Sequence, residues 1–205
     1  MEIACSINIT PNKVVINGKD VNYTERGEEL LTAIYRRQIN DYPKFFKMDS
    51  LSRLGFVASE LLLNGEPDRF KPREDRAIVF FNTNSSLCND ENYQKTIQDK
   101  NNYFPSPAIF VYTLPNIVTG EIAIRNKYYG ETSFYVLDRL DIESMEQIIN
   151  DTFQDLTTKS VLGGWLDCKD KDHFEAHLFL IKDQKTSKLP NWNKIIINKI
   201  IYNKQ

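Results

Sequence analysis

Two histidines and a glutamate stand two residues apart near the C-terminal end of the sequence. On a β-strand, His173, Glu175 and His177 would project from one face, because successive side chains of a strand point to opposite sides. Imidazole and carboxylate groups at this spacing can bind zinc, with Asp170 or Asp172 as a further ligand. The alternative is that the intervening apolar residues form the buried face and these polar residues the solvated one. Such ligand sets are loosely specified by sequence, so we expect no metal here.

The cysteines provide the other candidate for chemistry. Cys88 lies in a polar loop after the apolar run 77–81, and sites commonly form at strand ends in α/β folds. No histidine is close to Cys88 in the sequence, and the neighbouring carboxylates of Asp90 and Glu91 would raise the pKa of its thiol. An incidental thiol is therefore the interpretation that competes with a nucleophile at this position.

Composition argues against several classes of function. The 205 residues include 26 basic and 28 acidic residues, a formal net charge of −2, whereas nucleic-acid binding needs a basic face. No apolar run approaches the roughly 18 residues of a membrane span, and no secretory signal is recognisable. The three cysteines, the other two being Cys5 and Cys168, are a sparse and odd set typical of a reducing compartment. We therefore expect a cytoplasmic protein without a nucleic-acid partner, and no glycine-rich pattern indicates a nucleotide or other cofactor.

Hydrophobic periodicity predicts alternating strands and helices. Apolar residues at every second position predict a strand over 3–9, and Asn17-Gly18 suits the type I′ turn of a hairpin over 14–21. Spacings of three and four residues predict helices. The other predicted strands are 77–81, 134–137, 161–168 and 174–181, and the predicted helices are 30–38, 51–62, 90–98, one that opens at 106–108, 116–127 and 142–156.

The segment 192–202 fits two structures. Its three consecutive isoleucines favour a strand, while their spacing to Ile200 and Ile201 favours a helix. We predict a strand. Strands alternating with helices predict an α/β fold, a mixed β-sheet flanked by helices, and no linker pattern divides the single domain over 1–205.

Four segments, taken together, resemble a known family. They are FKMDSLSRLGFVASELLL at 46–63, the strand and polar loop at 76–90, FPSPAIFVYTLPNIVTGEIAIR at 104–125 continued by NKYYGETSFYV at 126–136, and KSVLGGWLD at 159–167. In order and spacing they resemble the N-terminal half of the β-ketoacyl acyl-carrier-protein synthases. The most similar members are the short chain length factors of aryl polyene and flexirubin-type pigment synthesis. The resemblance implies a thiolase-like half.

The resemblance also implies a protein without condensing activity of its own. In the family, the strand that matches 132–137 leads to a cysteine nucleophile, whereas here it leads to Asp138 and Arg139. The family's other catalytic groups come from a second half that these residues do not match. A guanidinium stays protonated and cannot attack a thioester. Asp138 and Arg139 could fill a vestigial acyl pocket or form an ion pair across subunits; the alternative is a solvated turn in which Asp141 caps the next helix.

The segment 107–116 carries the main functional hypothesis. In the family, the matching segment lies at the subunit interface and bounds the acyl tunnel of the partner. The positions implied here are Phe110, Tyr112, Thr113, Leu114 and Asn116, together with Phe134 on the following strand. A bulky side chain at a tunnel end limits chain length, because each excluded methylene loses about 0.8 kcal/mol of burial. The alternative is that the apolar residues Ile109, Phe110, Val111 and Leu114 pack the core.

The sequence thus predicts a non-catalytic, chain-length-factor-type protein in fatty acid or polyketide synthesis. Its expected partners are a full-length ketosynthase, in a heterodimer, and acyl carrier protein. One alternative is an active acyltransferase or condensing enzyme that uses Cys88. Another is a homodimeric module that binds acyl chains or carrier protein and pairs through the strand at 134–137.

Overall fold

The polypeptide forms a seven-stranded mixed β-sheet with helices on both faces. The computed structural model describes residues 1–184, 186 and 188–202. The strands are β1 (Glu2–Thr10), β2 (Lys13–Ile16), β3 (Lys19–Val21), β4 (Arg76–Asn82), β5 (Thr132–Val136), β6 (Ser160–Asp170) and β7 (His173–Lys182). Their order across the sheet is β3-β2-β1-β7-β6-β4-β5. β4 runs parallel to β5 and β6, and the other neighbours are antiparallel. The predicted α/β class is confirmed.

The helices follow the predicted positions closely, apart from the last. They are α1 (Gly27–Ile34), α2 (Ser50–Leu62), α3 (Leu87–Ile97), α4 (Pro107–Phe110), α5 (Ile117–Asn126), α6 (Ile142–Thr152) and α7 (Lys194–Tyr202). Carboxylates cap two of them: Asp49 accepts from a backbone N–H of α2, and Asp141 accepts from two in α6.

The sheet separates two hydrophobic cores. One lies between the sheet and the face that carries α1, α2 and α5, and the other lies under α6 and α7. β4 is buried along its whole length. This burial is typical of a strand with a continuous apolar sequence, such as the run at 77–81, that is covered on both faces of the sheet.

The first strand contains an irregularity that the alternation pattern did not reveal. The pairing of β1 with β7 shifts register between Ile3 and Cys5, so an extra residue is accommodated there. Ile7 and Ile9 belong to the first core, while Ile3 belongs to the second. The prediction that these isoleucines share one face is therefore wrong for Ile3, because a shift of one residue reverses the direction of the side chains.

The C-terminal segment is a helix, contrary to the predicted strand. α7 buries Ile197 and Ile201, four residues apart, against the second core, and leaves Ile195 73% exposed. The side chain of Asn193 accepts a hydrogen bond from the Ile196 backbone N–H at 3.0 Å at the start of the helix. Burial of one helical face outweighs the weak preference of consecutive isoleucines for a strand.

The helices of the fold are short compared with the thickness of a bilayer. Within the described residues, no single helix is long and apolar enough to cross a membrane. Pro107–Thr113 and Ile117–Asn126 satisfy the criterion only when taken together, and a bend of 99° separates them.

Candidate functional site at the open sheet edge

β5 forms one edge of the sheet and, among the described residues, pairs with β4 alone. An edge strand presents backbone N–H and C=O groups that another chain can pair with. Its last residues are also apolar at the surface: Tyr135 is 37% exposed and Val136 is 52% exposed. Phe134, in contrast, packs against the first core. β5 is therefore held in place by its pairing with β4 and by the packing of Phe134, and its outer side has no strand partner among the described residues.

The turn after β5 is solvated. The side chains of Asp138 and Arg139 are 85% and 78% exposed, and their charged atoms are 3.9 Å apart. Asp141 caps α6, accepting from the Glu143 backbone N–H at 3.0 Å and from the Ser144 hydroxyl at 2.7 Å. The hydrogen bond from Ser144 is the main reason why the pKa of Asp141 is lowered. Among the described residues, Asp138 and Arg139 are therefore solvated and not enclosed in a pocket, and the turn has the arrangement expected of a helix-capping loop.

Residues 103–114, hereafter the apolar segment, carry a group of exposed hydrophobic side chains. These side chains are exposed by between 46% and 81%, and they are Tyr103, Phe104, Phe110, Val111 and Leu114. The alternative that this segment packs the core is therefore wrong for Phe110, Val111 and Leu114. Exposed hydrophobic side chains grouped in this way mark interaction sites.

α3 holds the apolar segment in place. The Asn89 side-chain amide donates to the Ile109 carbonyl at 2.8 Å, and the Ser86 hydroxyl donates to the Thr113 carbonyl. The rings of Tyr93 and Phe110 also lie 5.3 Å apart, measured between centroids. Ser86 lies four residues after the end of β4. The segment is therefore fastened at the carboxyl end of β4, beside the carboxyl end of β5.

Tyr112 differs from its neighbours because it points inward. Its side chain is buried, and its hydroxyl donates to a carboxylate oxygen of Glu121 in α5 at 3.1 Å. The Lys44 ammonium lies 2.7 Å from the same oxygen. Burial and the nearby Glu121 raise the pKa of Tyr112. Tyr112 thus anchors the apolar segment to α5 and does not contribute to its exposed apolar surface.

The other two predicted positions on this stretch are polar. Thr113 is partly exposed, and its hydroxyl donates to the Phe110 carbonyl at 2.7 Å. Asn116 is exposed at the start of α5, and its side chain makes no capping hydrogen bond. Of the residues predicted on the segment 107–116, only Phe110 and Leu114 contribute to its exposed apolar surface.

The surroundings of Cys88 do not favour a nucleophile. The residue is half-buried in the first turn of α3. Burial raises the pKa of its thiol, and the carboxylates of Asp49, Asp170 and Glu91 raise it further, which outweighs the lowering effect of the Lys95 ammonium. Activated cysteines need a nearby base or cation that stabilises the thiolate. The two histidines form their hydrogen bonds with Asp170 and Asn8 and not with Cys88, so neither is placed to act as its base.

His173 and His177 occupy different environments. His173 is exposed, and its Nδ1 lies 2.9 Å from the Asp170 carboxylate. His177 is buried, with Nδ1 2.9 Å from the side-chain oxygen of Asn8 and Nε2 3.4 Å from the Glu175 carboxylate. The prediction that the polar residues of this strand form a solvated face is therefore wrong for His177, because α7 lies over Asn8, which donates to the Ile200 carbonyl at 2.8 Å.

Glu175 links His177 to the neighbouring strand. It accepts a hydrogen bond from the indole N–H of Trp165 at 2.8 Å, and the interaction with His177 is the main cause of its lowered pKa. In the part of the chain that the structure describes, no group of three or more His, Cys, Asp or Glu side chains is arranged to hold a metal ion. The geometry of these residues is that of a structural network.

This chain is similar to known proteins in its structure. No protein-family model and no curated protein matches the sequence. The structure matches the ishigamide ketosynthase/chain length factor with a TM-score of 0.65 and 15% identity, over 92% of this chain and 63% of that one. The fold is thiolase-like. It also matches a structure of the ketosynthase ApeO in complex with its chain length factor ApeC from Xenorhabdus doucetiae, with a TM-score of 0.55 and 15% identity, over 91% of this chain and 81% of that one.

The thiolase-like fold confirms the structural class that the sequence resemblance implied. At 15% identity the similarity concerns the fold, and this chain spans less than two thirds of the ishigamide protein. The sequence patterns assigned no role to Tyr103 or Phe104, which the structure exposes, whereas Tyr135 and Val136 belong to the strand through which the homodimer alternative would pair. The sequence does contain a signal for Tyr103 and Phe104: they are two consecutive aromatic residues before Pro105, in an otherwise polar loop.

Proposed function

We propose that this thiolase-like chain is a non-catalytic partner of a full ketosynthase, of the chain-length-factor type, in fatty acid or aryl polyene-like polyketide synthesis. The observation that carries the proposal is the combination of an open edge strand, β5, with the exposed apolar segment at the same end of the sheet. Two solved structures with this fold are described as ketosynthase and chain length factor proteins.

The energetics of the surface support association with another protein. A partner that covers the apolar segment would gain about 25 cal/mol for each Å² of apolar surface removed from water. A strand added to β5 would pair backbone groups that are otherwise solvated, which is a common mode of recognition. Both contributions act at one end of the sheet, so a single partner can obtain them together.

In this proposal the chain shapes the acyl-binding cavity and the ketosynthase performs the reaction. Phe110 and Leu114 present bulk toward the partner, where they would limit the length of the growing acyl chain. Asp138 and Arg139 stand in the turn where the resemblance places the nucleophile, and neither forms an acyl thioester. The ketosynthase would supply the reactive cysteine, and acyl carrier protein would deliver the chain.

The experiment is co-expression with full-length ketosynthases of the source organism, followed by measurement of molar mass in solution. We expect a stable one-to-one complex. Val136→Lys and Phe110→Asp each place a charge on the proposed interface and should weaken the complex at least tenfold without unfolding the chain. Leu156→Asp is the matched control, because Leu156 is also exposed but lies just before β6, at the opposite end of the parallel strands. A monomer that binds none of the ketosynthases would contradict the proposal.

A homodimer is the second candidate, because the open edge of β5 could equally pair with a second copy of itself. The molar mass of the isolated chain, measured over a range of concentrations, separates the two. A homodimer that persists when the ketosynthase is present favours the second candidate. Exchange into a heterodimer favours the first.

A further inference from the structure

A cleft of about 430 Å³ lies between β1 and α7, toward the edge of the sheet opposite to β5. Its volume falls within the range of about 300–1,000 Å³ that is typical of small-molecule sites. Much of its lining is aliphatic and includes Ile3, Ala4, Leu189 and Ile200. Nothing in the function proposed above uses it.

The irregularity of β1 builds this cleft. Ile3 donates its backbone N–H to the Pro190 carbonyl at 2.8 Å, and Ser6 donates its backbone N–H to the Asn17 side chain at 2.8 Å. Ala4 lies between these two attachments, at the register shift of the strand. The strand is therefore held to a different segment on each side of the irregularity, and both segments line the cleft.

The polar groups of the cleft indicate the chemistry of a ligand. Ser6, Asn8 and Asn17 line the cleft together with the aliphatic residues, so hydroxyl and amide side chains are among its polar groups. Of the described residues that line the cleft, Lys199 alone is charged, and no carboxylate in the described part of the chain forms an ion pair with it.

We propose that this cleft binds a small anionic amphiphile of the fatty carboxylate class. The aliphatic lining accommodates the hydrocarbon chain, and the Lys199 ammonium attracts the carboxylate. The Ser6 hydroxyl provides a hydrogen-bond donor within the cleft. The site is independent of the interface with a ketosynthase, because it is built from β1, α7 and residues 189–190.

The test is a titration of the isotope-labelled full chain with decanoate, followed by the amide resonances in NMR spectra. Saturable shifts should concentrate at Ser6, Gly18 and Lys199. Decanol, which has the same chain without the charge, should bind about fivefold more weakly, as expected for one exposed charge pair. Shifts that concentrate on the apolar segment, or the absence of saturable shifts, would overturn the proposal.

Reversing the charge at position 199 tests the role of the Lys199 ammonium separately. Lys199→Glu should weaken decanoate binding at least fivefold and leave decanol binding unchanged. Lys100→Glu is the matched control, since Lys100 is exposed and does not line the cleft. Equal effects of the two variants would reject the role of Lys199. The experiment uses the chain alone, so its failure is distinguishable from failure to bind a ketosynthase.

Discussion

A buried arginine organises the polar contacts at the amino end of β4. Arg76 is almost fully buried, and it donates to the Ser160 hydroxyl at 2.9 Å, to the Tyr128 hydroxyl at 3.0 Å and to Glu66 at 2.8 Å. The second oxygen of Glu66 accepts from Lys182 at 2.7 Å. Burial opposes ionisation of Glu66, but hydrogen bonds from Lys182 and Arg76 outweigh it, so its pKa is lowered.

Glu66→Gln should therefore destabilise the fold by about 2 kcal/mol at neutral pH, because it leaves the buried Arg76 without its counter-charge. In the wild type, the stabilisation from Glu66 is fully present above its ordinary pKa of 4.5 and is lost as the pH falls through the lower folded value. The variant should lack this component of the acid dependence.

Urea denaturation at pH 7 and at lower pH measures both effects. Glu74→Gln is the matched control, because Glu74 is exposed and close in sequence. An equal loss of stability in the two variants would show that the Arg76 network contributes nothing specific.

Gly164 is required by the backbone of β6. Its φ is +140°, and a Cβ there would lie 2.1 Å from the His177 carbonyl oxygen of the adjacent strand. Gly164→Ala should cost about 3 kcal/mol or more, since backbone rather than a flexible side chain must move. Gly120→Ala is the contrasting variant: its Cβ meets no atom within 4 Å, and alanine should stabilise the interior of α5 by about 1 kcal/mol. Thermal denaturation of both variants distinguishes a local conformational requirement from general sensitivity to a methyl group.

Among the elements, those with strong local signals were predictable. Asn17 and Gly18 adopt φ values of 50° and 76°, as the Asn-Gly hairpin signal required. The carboxylate caps and the apolar run of β4 likewise specify their structures locally. α7 could not be predicted in this way, because its isoleucine-rich sequence is compatible with both structures and the choice depends on the core that it covers. The register shift in β1 depends on pairing partners more than 170 residues away.

α7 supplies a direct test of that interpretation. Ile197→Ala should destabilise the protein by about 2–4 kcal/mol, because it removes a fully buried side chain from the second core. Ile195→Ala, two residues earlier in the same helix, should change stability by less than about 0.5 kcal/mol because Ile195 is exposed. In a strand, residues 195 and 197 would lie on the same face and respond alike. Equal losses in chemical denaturation would therefore contradict the helix.

For the whole molecule, sequence resemblance proposed the apolar segment as an interface but did not indicate which of its side chains are exposed. From its sequence, the apolar segment is equally compatible with a position in the core and a position on the surface. Its exposure follows from the hydrogen bonds that Ser86, just before α3, and Asn89, within α3, make with it, and from the inward direction of Tyr112. These contacts depend on how distant segments meet in the fold, so local periodicity does not report them.

The central claim is that this chain shapes the acyl-binding cavity while a ketosynthase supplies the reactive cysteine. Acyl transfer within a purified complex tests this claim most directly. The complex with a ketosynthase would be incubated with an acyl thioester, and the intact mass of each subunit would then be measured. We predict one acyl group on the ketosynthase and none on this chain, at the same rate when Cys88→Ala replaces the wild type. An acyl adduct on Cys88, with loss of condensation in that variant, would contradict the account.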